Sequence, residues 1–110
     1  MADVNVKTTK LDLNEFGEVA FSSATSSDTI YFDYDGAGDE KLVMLFKGAG
    51  SATIMKGNAI QGVVNLTGTV TTEAAVRVDS GLFKDVYGSY TGKVSATVSS
   101  ASSVALIQLP

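Results

Sequence analysis

Apolar side chains in this chain recur at every second position, in short runs broken by clusters of Gly, Asn, Asp and Ser. No segment carries the i, i+3, i+4 stripe of an amphipathic helix over a useful length, so extended strands are what the pattern can build. With turn signals about every ten residues, the expected result is all-β: a single-domain antiparallel β-sandwich or barrel of the jelly-roll or Ig-like kind. The 110 residues suffice for one domain. A chain of this mass hides roughly two-thirds of its unfolded surface on folding, enough for a core without staples. The absence of cysteine and histidine leaves no disulfide and hardly any way to form a structural zinc site. Residues 1–13 read as an N-terminal arm or edge strand and residues 14–110 as the sandwich.

Residues 41–62 give the firmest local reading. The apolar run 42–46, the turn cluster 48–51 and the second short run 52–56 predict a β-hairpin whose first strand is buried on both faces. Ala59 and Ile60 follow as an expected plug at one end of the core. Before it, Val4 and Val6 share one side of a candidate edge strand, Leu11 and Leu13 alternate in the opposite phase, and residues 14–17 turn the chain. Ile30, Phe32 and Tyr34 share one face of a clear strand. After it, Val64, Leu66 and Val70 are expected inward, with Gly68 among them marking a bulge or a close neighbouring backbone. Val76 and Val78, then Val94, Ala96 and Val98, continue the inward set, and residues 104–109 form a last strand.

The net charge of −4, with Arg77 the single arginine, argues against a surface that tracks phosphates, so no nucleic-acid partner is expected. No apolar run is long enough to span a bilayer, and residues 1–10 are polar where a signal peptide needs an apolar stretch. The chain therefore reads as an unprocessed cytosolic product with no membrane partner. Its one proline, Pro110, guards no sheet edge. Edge protection falls either to Lys7, Lys10, Lys47 and Lys93 or to a covering partner.

The best-looking chemical feature is the acidic loop carrying Asp33, Asp35, Asp39 and Glu40, since calcium takes several oxygen ligands from a glycine-bent loop. Counted from Asp33, however, the fifth and twelfth places of an EF-hand loop fall on Ala37 and Met44, which offer no side-chain oxygen. A solvated turn is the favoured reading, and no metal or cofactor is expected. The same acids, crowded into one turn, do not face each other across a sugar cleft. Serine is abundant but lacks a histidine base. Residues 48–51 lack the Lys-Ser/Thr ending of a phosphate loop. The aromatics Phe32, Tyr34, Phe46, Phe83, Tyr87 and Tyr90 lack the interleaved cations of a base-stacking surface. No catalytic group is expected.

From Asp39 onward the chain resembles a family of small proteins encoded by tailed phages and prophages, commonly beside the gene for the major capsid protein. The resembling pieces are Asp39-Glu40-Lys41 leading into Leu42-Val43-Met44-Leu45-Phe46, and the run from Ala52-Thr53-Ile54-Met55 through Lys56-Gly57-Asn58 to Gln61-Gly62. Farther on come Asp79-Ser80-Gly81-Leu82-Phe83-Lys84, Gly92-Lys93-Val94 and the ending Ala105-Leu106-Ile107-Gln108-Leu109-Pro110. The resemblance extends over residues 39–110, roughly two-thirds of the chain, and finds no firm match in residues 1–34. The resemblance implies a head decoration protein: a non-enzymatic virion component on the outer capsid surface, bracing major capsid protein subunits, as a homo-oligomer such as a trimer. Within that reading the arm, with Val4, Val6, Leu11 and Leu13, is the candidate capsid contact, adding a strand to a capsid sheet. Two other readings stand beside it: a calcium- or carbohydrate-binding sandwich module using the loop at 33–40, and a phage tail component.

Overall fold

A computed structural model of the chain describes residues 3–34, 38–48, 50–58 and 64–110, with the side chain of Asp39 excepted. Ala59, Ile60, Asp35 and Ala37 lie outside the described residues, and with them the expected core plug. The fold is an all-β sandwich of two mixed sheets. The strands are β1 (Asp3–Asn5), β2 (Thr8–Lys10), β3 (Ser22–Ala24), β4 (Thr29–Asp33), β5 (Leu42–Lys47), β6 (Gly50–Ile54), β7 (Leu66–Val70), β8 (Glu73–Val76), β9 (Lys93–Val98) and β10 (Ser102–Gln108). One sheet runs β1-β4-β9-β6-β7, the other β2-β10-β5-β8, with β3 sharing the edge of β10 that β2 also occupies. The sheets are antiparallel except where the N-terminus joins them: β1 lies parallel to β4 and β2 parallel to β10. Among the described residues, no helix is long and apolar enough to cross a membrane.

The alternation read in the sequence sets the core. Ile30 and Phe32 with the following Tyr34 face inward from one sheet, as do Val94, Ala96 and Val98, and Leu42, Met44, Phe46, Val104 and Leu106 meet them from the other. Phe32 and Phe46 meet edge to face across the sandwich, ring centroids 5.8 Å apart, the arrangement that the ring quadrupoles favour.

The expected hairpin at 41–62 does not form. Although β5 and β6 are consecutive, β5 pairs with β10 and β8 in one sheet, whereas β6 pairs with β9 and β7 in the other. The link between them is an arch across the sandwich, with Gly48 at φ 72° and Gly50 at φ 71° making the bend that an L side chain resists. An extended residue advances roughly 3.3–3.6 Å, so even a very short link reaches the opposite sheet, roughly 10 Å away. Nor is β5 buried on both faces: Leu42, Met44 and Phe46 are buried while Val43 and Leu45 are half-buried. Two more links cross beside it, 71–72 and 99–101. The three are hydrogen-bonded together, Gly48 N–H donating to Thr72 O (3.0 Å), Ser99 N–H to Ser51 O (3.0 Å) and Ser51 N–H to Ser99 Oγ (2.9 Å).

At the opposite end, three of the motif segments meet. Asp79 caps a single helical turn, α1 (Ser80–Phe83), its Oδ1 accepting from Gly81 N–H at 2.8 Å. Buried Gly57 donates its N–H to Leu82 O, and Asn58 grips the segment beyond: its Oδ1 accepts from Val86 N–H (2.7 Å) and its Nδ2 donates to Tyr87 O (3.0 Å). Lys84 bridges to Val94, Asp85 N–H donates to Lys93 O, and Gly92 N–H donates to Asp85 O. Burial raises the Asp85 carboxyl above its ordinary value. These motif residues are therefore scaffold, closing one end of the sandwich.

Candidate functional site

Of the four acids in the loop, Asp35 and the side chain of Asp39 lie outside the described residues. Asp33 ends β4 with its side chain exposed, and Glu40 lies exposed in the 3₁₀ turn Asp39–Lys41. Among the described residues no three His, Cys, Asp or Glu side chains converge where they could hold a metal ion.

The N-terminal arm divides in two. Residues 3–10 are built into both sheets through β1 and β2, and the chain crosses between the sheets at Val6, whose N–H donates to Tyr31 O at 3.0 Å. Val6 is buried in the core and Val4 packs against it, so these two side chains are occupied within the chain. The candidate contact residues that remain are half-buried Leu11 and, above all, Leu13, which is 76% exposed.

Leu13 belongs to a loop, residues 11–21, that is fixed at its base and open at its tip. Leu11 N–H donates to Gln108 O (2.9 Å) and Ala20 N–H donates to Thr9 Oγ1 (2.9 Å), tying both ends of the loop to the second sheet. Gly17 closes over Leu11 so tightly that an added Cβ would stand 2.5 Å from Leu11 Cδ2. Asn14, at φ 61°, turns the tip, a backbone state that asparagine tolerates better than most residues. The result presents Leu13 and a fully exposed Phe16 to solvent, among exposed Asp12, Glu15 and Glu18. The turn expected at residues 14–17 includes Phe16 but gives its ring no role. The available signal was an aromatic residue placed inside an acidic turn, where core-forming side chains are not normally found.

A second polar feature lies on the outer face of the first sheet. Tyr90 stacks on Tyr31 with ring centroids 4.0 Å apart and planes 7° from parallel, and its hydroxyl donates to Asp3 Oδ2 at 2.7 Å, pinning the edge strand β1. That hydrogen bond first, then the neighbouring Tyr31 hydroxyl, pushes the Tyr90 phenol well above its ordinary range. A folded-state pKa raised above the unfolded one gives stability that is complete below about pH 10, the ordinary phenol value, and is lost as pH climbs beyond it. Tyr90→Phe keeps the stack but removes the phenolic proton. The expected result is a slightly lower Tm at neutral pH and a shallower alkaline decline than wild type in melts between about pH 8 and 11. Parallel curves for the two proteins would show that the Asp3 bond is not formed in solution.

Between β7 and β8 the sandwich is open, leaving an apolar cleft of about 230 Å³ lined by Phe46, Ile54, Val70, Ala74 and Val76 among others. Of the inward trio expected over residues 63–71, Val70 is buried, whereas Val64 is 76% and Leu66 42% exposed. Comparison with protein-family models, with curated proteins and with solved structures finds no match for this chain.

Proposed function

We propose that this protein is a structural, non-enzymatic component of a tailed-phage virion that binds the outside of the shell formed by the major capsid protein and braces it. The partner class follows from the family resemblance of residues 39–110. The observation that carries a docking role is the tip at 11–21: a loop pinned at both ends that holds Leu13 and Phe16 in water, ringed by Asp12, Glu15 and Glu18. A pinned loop loses little conformational freedom on binding, so its two apolar anchors retain most of the affinity they gain by burial. The acids around them complement a shell surface with a basic rim and steer the encounter, an effect that weakens with salt. Bound at many equivalent positions, the sandwich acts through binding energy alone.

Removal of residues 2–13 would delete β1, β2 and Val6 along with any contact, so point substitution is the cleaner test. The double variant Leu13→Ser/Phe16→Ser is expected to melt like wild type, both side chains being exposed. It is expected to lose cosedimentation with empty expanded heads by a factor of about 30 or more, the size of a hot-spot loss. Undiminished cosedimentation would remove the loop from the contact; no cosedimentation of wild type would remove the virion role.

A further inference from the structure

Gly68 sits in the middle of β7 without a reason among the described residues. Its φ is not in the left-handed region, and a Cβ built on it meets none of the described residues within 4 Å, so among them neither a bulge nor a close backbone accounts for it. The strand around it is the outermost of its sheet, and among the described residues nothing pairs with its far side. It carries no charge and no proline, the devices by which edge strands usually discourage pairing. Its sequence, Leu66-Thr67-Gly68-Thr69-Val70, is near-symmetric about the glycine.

The hydrogen bonding fixes which groups are free. Ser99 N–H donates to Ser51 O and Met55 N–H donates to Ser95 O, so alternate residues of β6, counted from Ser51, turn their backbone groups toward β9. Gly50, Ala52 and Ile54 therefore bond β7, at their register partners Val70, Gly68 and Leu66. Thr67 and Thr69 are left with N–H and C=O aimed outward along the open edge.

We infer that a second copy of this chain pairs with β7 across a two-fold axis through Gly68, joining the two first sheets into one continuous sheet. Antiparallel pairing in that register places Thr67 opposite the partner's Thr69 and the reverse, each pair exchanging two main-chain hydrogen bonds. Gly68 faces its own copy on the axis at the close, non-bonded spacing. On the inward side Leu66 stands opposite the partner's Val70, and on the diagonal it reaches the space left open over the partner's Gly68. Both half-exposed leucines leave water, and the two apolar clefts, each of about 230 Å³, face one another across the axis. The fit is isologous: one edge, self-complementary in backbone polarity, side-chain order and lack of charge. This inference is independent of the virion reading, since it needs no partner other than the chain itself.

Sedimentation velocity of the full chain over a concentration series tests it, with two variants. Thr69→Pro removes an N–H that the fold itself does not use, and Gly68→Lys sets two like charges on the axis while entering open space in the monomer. Wild type is expected to dimerise with rising concentration, and both variants to remain monomeric at least ten times farther up the series, with an unchanged far-ultraviolet circular dichroism spectrum. Should Thr69→Pro fail to fold, Gly68→Lys decides alone. A wild type that is monomeric up to about 1 mM, a free energy too small for a specific contact, overturns the inference. So does association, as dimer or trimer, that Gly68→Lys leaves intact.

Discussion

Phe46→Ala is expected to destabilise the protein by about 3–5 kcal/mol, the usual cost of removing a buried aromatic ring. Phe46 is fully buried, meets Phe32 across the sandwich, and lies between two paired neighbours, Val104 on one side and Ala74 on the other. Collapse cannot refill the space, because those neighbours are held by ladders on both sides of β5. The ring also lines the cleft between β7 and β8, so its loss extends that cleft into the core. A domain of this size has about 5–15 kcal/mol in total, so the variant sits near the edge of folding at 37 °C. Urea titration should show a much lower midpoint at an unchanged slope. A midpoint within experimental scatter of wild type would mean that the two sheets are not joined through this ring pair.

Gly57→Ala should be nearly as damaging, for a different reason. At a permissive backbone position such a change usually stabilises by about 0.4–1 kcal/mol, through lost freedom of the unfolded chain. Here the sign reverses, because the new Cβ would stand 2.5 Å from Lys84 O and 2.8 Å from Phe83 C, both backbone atoms that cannot rotate away. Either the link after β6 or the turn α1 must move. Movement breaks the bond from Gly57 N–H to Leu82 O and the paired grip of Asn58 on Val86 and Tyr87. The expected loss is about 3 kcal/mol, at the upper end for overpacking. Hydrogen exchange distinguishes this from general weakening: the Gly57 and Val86 amides should lose protection ahead of those in the centre of β9. Uniform loss along the chain would contradict a local clash.

Which side chains face inward was readable from the sequence wherever a strand is covered on one side along its whole length. Ile30 and Phe32, and Val94 to Val98 at alternate places, all lie where the alternation puts them. Pairing partners were not readable. Period 2 names a face, and it does not say in which sheet the next strand lies; the glycines at 48 and 50 suit a hairpin turn and an arch equally well. Period 2 does not say how far a covering sheet extends either: Val64 and Leu66 alternate as core residues do, yet both are exposed. Of the candidate contacts, Val4 and Val6 are spent inside the sandwich and Leu13 is presented outside. That division depends on where the chain crosses between sheets, which composition does not encode. Turn chemistry on either side of Phe16 specifies its backbone and not the direction of its ring.

The arrangement around β10 constrains how the protein is made. This strand is inserted between β5 on one side and β2 with β3 on the other, all three of which precede it in the chain. Until residues 102–108 emerge from the ribosome, the second sheet has no middle, and β2 and β5 have nothing between them to hold on to. Assembly must then close loops spanning most of the polypeptide, and pairing between segments so far apart in sequence slows folding.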